Sequence, residues 1–222
     1  RKRRTGPADC ACTAAGSSTA RPRAPVRRST SAGSTSPRAA SLRADAARSA
    51  SRKAVDHLIK AGYRRIGFIS GPRDRSNAQD RHRGYLDALK EHGLETDPGI
   101  IRYGDFTFET GYTLADELLG RGGMDALYVA NERMGGGAVK RMTELGIRPR
   151  EDLGFVMWDD PFWTTLVKPN ITVISQPVYT IGTTAAEMLF KRIESRVEKE
   201  HHLGDHSIKV TLEADLIVRD SA

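Results

Sequence analysis

The chain has 222 residues, of which 38% are hydrophobic and 6% aromatic, and its formal net charge is +7. That length accommodates one large or two small domains. No apolar run approaches the ~20 residues that cross a bilayer as a helix, and the basic start lacks the apolar stretch of a secretory leader; the expectation is a soluble, cytoplasmic protein with no membrane partner.

The charge is unevenly spread. Residues 1–53 hold 13 Lys and Arg against 2 Asp and Glu, leaving 22 against 26 for the rest. Over the same stretch Val26 and Leu42 are the only large apolar or aromatic side chains. Such a segment buries too little surface to offset the entropy of ordering. Residues 1–52 therefore read as a disordered basic tail, of out-of-frame or unrelated origin, with a non-specific nucleic-acid arm as the alternative. Cys10 and Cys12 have no later His or Cys at ligand spacing, so no metal is expected there.

From Lys53 the pattern changes. Residues 53–62 suit the end of a helix, with Val55, Leu58 and Ile59 on one face and Gly62 as its stop. "RRIGFISG" (64–71) reads as a buried strand. A helix over about 76–92 turns Tyr85, Leu86, Ala88 and Leu89 inward. Strand 99–103, helix 108–120, strand 125–130, helix 133–145 and strand 153–158 follow. This alternation with short links predicts an α/β fold: a doubly wound parallel sheet covered by helices on both faces.

After Trp158 comes a loop with two prolines, then strand "ITVIS" (171–175). Val178, Ile181, Ala185, Met188, Leu189 and Ile193 fall at helical spacing. The charged stretch with His201, His202 and His206 reads as a solvated helix end rather than a metal site. Ile208, Val210, Leu212, Ala214, Leu216 and Val218 alternate, as in strands packed on one face.

Ligands of open α/β sheets bind outside the carboxyl ends of the strands. Those ends carry Arg81 (on the helix after the first strand), Asp105 and Phe106, Asn131 and Glu132, and Asp159 and Asp160. Arg, Asn and Asp each bond two neighbouring hydroxyls in a fixed fork. An aromatic ring covers the apolar face of a sugar or base. Taken one at a time, Asp105 and Asp159 suit turns or helix caps, Phe106 suits a core, and Arg81 suits a surface. Catalysis finds little support. There is no Gly-x-Ser-x-Gly elbow, phosphate loop or His-x-x-x-His, and "ERMGGGAVK" lacks dinucleotide-binding spacing.

"HLIKAGYRRIGFISGP", "RHRGYLDAL", "YVANERMGGGAVKRMTELGIRPREDLGFVMWDD", "ITVISQPVYTIG" and "LIVRDSA" together resemble the effector-binding region of lactose-repressor-type (LacI/GalR) transcription regulators, from about Lys53 to Ala222. The resemblance implies a periplasmic-binding-protein-like sensor that holds a sugar or nucleobase between two lobes. It implies effector contacts at Arg81, Phe106, Asn131 and Asp159, no cofactor, and a homodimer in the intact family. Residues 53–174 would be the C-terminal lobe and 175–222 a return segment belonging to the first lobe. Most of the first lobe, the hinge helix and the operator-binding helix-turn-helix have no counterpart here.

Two departures from the family pattern carry expectations. Three consecutive glycines, Gly135–Gly137, predict that the helix after Asn131 starts late. "MWDD" in place of Gly-Phe-Asp-Asp predicts that Trp158 crowds or reshapes the pocket. The resulting reading is a fragment of a non-catalytic, sugar-responsive regulator, with a transport-type sugar-binding protein as the alternative.

Overall fold

The computed structural model describes residues 37–197 and 210–222. Its elements, in order, are α1 (Pro37–Lys60), β1 (Ile66–Ser70), α2 (Ser76–Glu91), β2 (Ile101–Tyr103), α3 (Phe108–Arg121), β3 (Ala126–Val129), α4 (Glu132–Glu144), β4 (Gly154–Trp158), β5 (Thr172–Ser175), α5 (Val178–Val197) and β6 (Asp215–Ile217). They build one six-stranded sheet in the order β2-β1-β3-β4-β5-β6. All pairings are parallel except that of β6 with β5. The chain reverses its direction of travel across the sheet at β1, so the crevice expected of this topology opens between the carboxyl ends of β1 and β3.

The two cores follow from strand periodicity. Ile66, Phe68, Tyr128, Val156, Trp158 and Ile174 point to the side covered by α1 and α2. Ile69, Leu127, Val129, Phe155, Met157 and Val173 point to the side covered by α3 and α4. A strand buried on both faces reads as an unbroken apolar run, and β1, β3 and β4 are buried at every residue.

The boundary of order expected at residue 52 falls inside α1. Ala50 and Ser51 are buried, and Ser51 Oγ donates to the carbonyl of Arg81 at 2.6 Å. Arg48 pairs with Asp87, and Arg52 with Glu91. The contact is made from small residues: a Cβ on Gly84 would come within 2.1 Å of the Arg48 carbonyl oxygen. An inventory of large apolar side chains misses a helix docked in this way. Residues 1–36, including both cysteines, lie outside the described residues, as do His201, His202 and His206.

Residues 214–222, read from the sequence as part of the return segment, instead join this sheet. Beyond β6, Arg219 forms a two-pronged pair with Asp160 at 2.8 and 2.7 Å. Ser221 Oγ accepts from Thr172 N and donates to the Phe155 carbonyl. Val210 and Val218 are exposed, and the strand is confined to three residues. α5 is different: Val178, Tyr179, Leu189 and Phe190 are 59–83% exposed. Its apolar face has no cover among the described residues.

α4 also departs from expectation, starting at Glu132 directly after its cap despite the glycines. The reason is crowding. A Cβ on Gly137 would lie 2.1 Å from the Phe108 carbonyl oxygen, and one on Gly135 would lie 2.8 Å from Met157 Sδ. Close passage of α4 over α3 and β4 requires both.

Candidate functional site

The carboxyl ends of four strands meet at the crevice. Backbone bonds extend the ladders past the strands: Gly104 N donates to Ser70 O, Ala130 N to Ile69 O, and Asp159 N to Ile174 O. The loops leaving the sheet are thereby fixed where they carry their polar residues.

Arg81, in the second turn of α2, is only 7% exposed. Its guanidinium lies over the Trp158 ring, with Cζ 3.9 Å from the ring centroid, and Nη1 donates to the Ala130 carbonyl at 2.6 Å. Burial lowers its pKa, while Tyr128 and Asp159 act in the opposite direction. It makes no ion pair with a carboxylate among the described residues. A charge held so deep calls for partners, and here they are a ring face, one carbonyl and the field of Asp159. Arg81 Nε, Trp158 Nε1 and Tyr128 Oη are buried without a hydrogen-bond partner among the described residues.

Asp159 follows Trp158 with φ of +71°, a left-handed conformation tolerated best by Gly, Asn and Asp. Its Oδ1 accepts from Gln176 Nε2. Burial raises the carboxyl pKa, opposed by the Gln176 hydrogen bond and the Arg81 charge. The adjacent Asp160 has another task, its pKa lowered chiefly by the hydrogen bond from Arg219. The pair does not work together, which removes the geometric basis for acid–base chemistry.

Asn131 is the N-cap of α4, and its Oδ1 accepts from Met134 N at 3.1 Å. The carboxamide NH2 makes no hydrogen bond among the described residues. Asp105 is exposed and accepts from the amide and hydroxyl of Thr107, which depress its carboxyl to about 2. It shapes the turn into α3. Phe106, at φ of +69°, lays its ring over Gly71: a Cβ there would meet the ring at 2.1 Å.

Arg81 and Asp159 lie within each other's field beyond the ends of β3 and β4, and Asn131 follows the Ala130 carbonyl that Arg81 holds. Phe106 approaches from the opposite face of the sheet, packed against the α3/α4 core. Trp158 forms the platform under Arg81. Gln176 was passed over in the sequence as the end of a strand, although the strand-end rule that selected Asp159 applies equally to it. A separate groove of about 670 Å3, lined by Phe108, Val139, Trp163 and Val167, lies along α3 and α4. The described residues contain no cluster suited to a metal ion, and no described helix is long and apolar enough to cross a membrane.

Residues 55–222 match the family described as the periplasmic binding protein-like domain. The HTH-type transcriptional regulator CelR of Thermobifida fusca is 34% identical over 171 residues, which are 77% of this chain and 48% of that regulator. The HTH-type transcriptional repressor CytR of Escherichia coli K12 is 32% identical over 76% of this chain and 48% of its own length. The structure of a CelR–cellobiose complex superposes with a TM-score of 0.72 at 32% identity, covering 80% of this chain and 52% of that one. The chain spans about half the length of the curated relatives it matches.

Proposed function

Because the chain belongs to the periplasmic-binding-protein-like domain family, in the form carried by lactose-repressor-type regulators, we propose that residues 53–222 are the effector-sensing portion of a sugar-responsive transcription regulator. The observation that supports this reading is Arg81 held against the Ala130 carbonyl, beside Asn131 in sequence and in the field of Asp159. A guanidinium, a carboxamide and a carboxylate offer forked donors and acceptors, and neighbouring hydroxyls match them in pairs. In this reading the groups act as hydrogen-bond donors and acceptors, and the site binds its ligand unchanged.

In this reading the protein works in the cytoplasm by population shift. The effector favours one arrangement of two lobes and so alters operator affinity, and operator DNA is contacted by a helix-turn-helix outside residues 55–222. Residues 53–174 form one lobe. The apolar face of α5 packs on the other lobe, and where it is left exposed it draws copies of the chain together.

The test is titration calorimetry of the chain against cellobiose, a monosaccharide and a nucleoside. Saturable binding of a sugar that weakens by about 1–3 kcal/mol in Arg81→Ala, the scale of a lost charged hydrogen bond, supports the reading. Binding of the nucleoside alone, or sugar binding indifferent to Arg81, overturns it.

A further inference from the structure

Among the described residues, Arg81 makes a single side-chain hydrogen bond, from Nη1 to the Ala130 carbonyl. One bond of that kind fixes a point and leaves the guanidinium plane free to swing about it. No carboxylate clamps the other nitrogens, and Nε is buried without a partner. What fixes the plane is the indole of Trp158, 1% exposed and 3.9 Å from Cζ. A cation over an indole face is held by the ring quadrupole, and Trp offers a stronger face than Tyr or Phe. The ring is itself immobile: Trp158 closes β4, paired in register with Ile174, and packs in the α1/α2 core. Two rigid elements therefore set the guanidinium, β4 through the ring and the end of β3 through a carbonyl.

We infer that Trp158 is a positioning residue for the effector site, orienting the Arg81 guanidinium so that its uncommitted N–H groups meet the effector already aligned. This deepens the sensor reading and rests on it only for the identity of the ligand. The consequence is affinity gained through preorganisation, because the free protein does not order the side chain at the moment of binding. Trp158 touches the effector through Arg81, so its contribution vanishes when the guanidinium is gone.

The experiment uses the full chain and has two arms. In the first, the Arg81 Nε–Hε cross-peak is assigned by its loss in Arg81→Lys and followed without ligand by heteronuclear NMR. Ring current from Trp158 displaces it from the other arginine cross-peaks; Trp158→Phe keeps part of the displacement and Trp158→Met abolishes it. In the second arm, cellobiose affinity is measured in both variants. It falls by roughly threefold in Trp158→Phe and up to about thirtyfold in Trp158→Met, and Trp158→Met costs nothing further in an Arg81→Ala background.

Thermal melts separate misfolding from misorientation, and Trp158→Phe, which keeps a ring in the core, carries the test if Trp158→Met unfolds. An Arg81 cross-peak unmoved by either substitution overturns the inference. So does a Trp158→Phe or Trp158→Met loss that persists undiminished in Arg81→Ala. If the wild-type chain binds no cellobiose, the cross-peak alone decides the positioning role, and it is the sugar reading that fails.

Discussion

Gln176 Nε2 donates to Oδ1 of Asp159, joining the residue after β5 to the residue after β4. The bond holds one carboxylate oxygen and leaves the other to the crevice. It does so for a group whose pKa burial raises despite this bond and the Arg81 charge. A carboxyl with a folded-state pKa above its unfolded value contributes stability that is complete below the unfolded pKa and is lost as pH rises through the folded one. At neutral pH Asp159 is therefore a cost to the fold.

Asp159→Asn should separate this cost from binding. Asparagine removes the buried charge, keeps an acceptor for Gln176 and accepts the φ of +71°. At pH 7 the variant should melt about 2–4 °C higher than wild type, the shift of ~1 kcal/mol in a domain of this size. The gap should close as pH falls below the carboxylate range, while sugar affinity drops. Calorimetric melts at pH 4 and pH 7 check it; a lower melting temperature at pH 7 would contradict the assignment.

The glycines of α4 make a contrast of sign. A Cβ on Gly136 would meet the Phe108 ring at 3.4 Å, ordinary contact, so Gly136→Ala should stabilise by about 0.5–1 kcal/mol through helix propensity. A Cβ on Gly137 would lie 2.1 Å from the Phe108 carbonyl and 2.6 Å from Tyr112 N. Backbone on that side has no room to yield, and Gly137→Ala should destabilise by about 1–3 kcal/mol. Urea denaturation of both variants decides.

This contrast also shows what the sequence conceals. The alternation of apolar runs laid out β1, α2, β3, α4 and β4 because two-sided burial leaves a strong signal. The three glycines, however, read as helix-weakening, since what crowds Gly137 lies in α3, more than twenty residues earlier in the chain, and what crowds Gly135 is Met157 in β4. The position of Asp159 just beyond β4 follows from topology, as strand ends are predictable from the alternation of elements. The stacking of Arg81 on Trp158 does not, as it joins α2 to β4 across 77 positions of sequence. α1 was underestimated because Ala50, Ser51 and Gly84 make their contact by being small.

Gly71→Ala should disturb the aromatic wall. Its Cβ would fall 2.1 Å from the Phe106 ring and 3.1 Å from Ala78 Cβ, and the ring, on a residue already at positive φ, is the part that moves. Sugar affinity should weaken about five- to tenfold, the scale of an aromatic contact beyond its area, with the far-ultraviolet circular dichroism unchanged. Unaltered affinity would remove Phe106 from the site.

α5 should govern self-association. Tyr179, Leu189 and Phe190 are 83, 59 and 63% exposed, and an apolar face of that kind marks an interaction surface. The double variant Leu189→Lys, Phe190→Glu should sediment as a smaller species than wild type at equal concentration, with its melting temperature unchanged. Identical sedimentation would place the associating surface elsewhere, with the Phe108–Trp163 groove next to test.

The effector is expected at the strand ends and not in the Phe108–Trp163 groove. Backbone amide shifts of the full chain, mapped during a cellobiose titration, test it most directly. The account predicts perturbations at 71–81, 104–106, 130–131, 158–159 and 176, with those of 136, 139 and 163 unmoved. Perturbations gathered instead on Val139 and Trp163, with Arg81 and Asp159 silent, would contradict it.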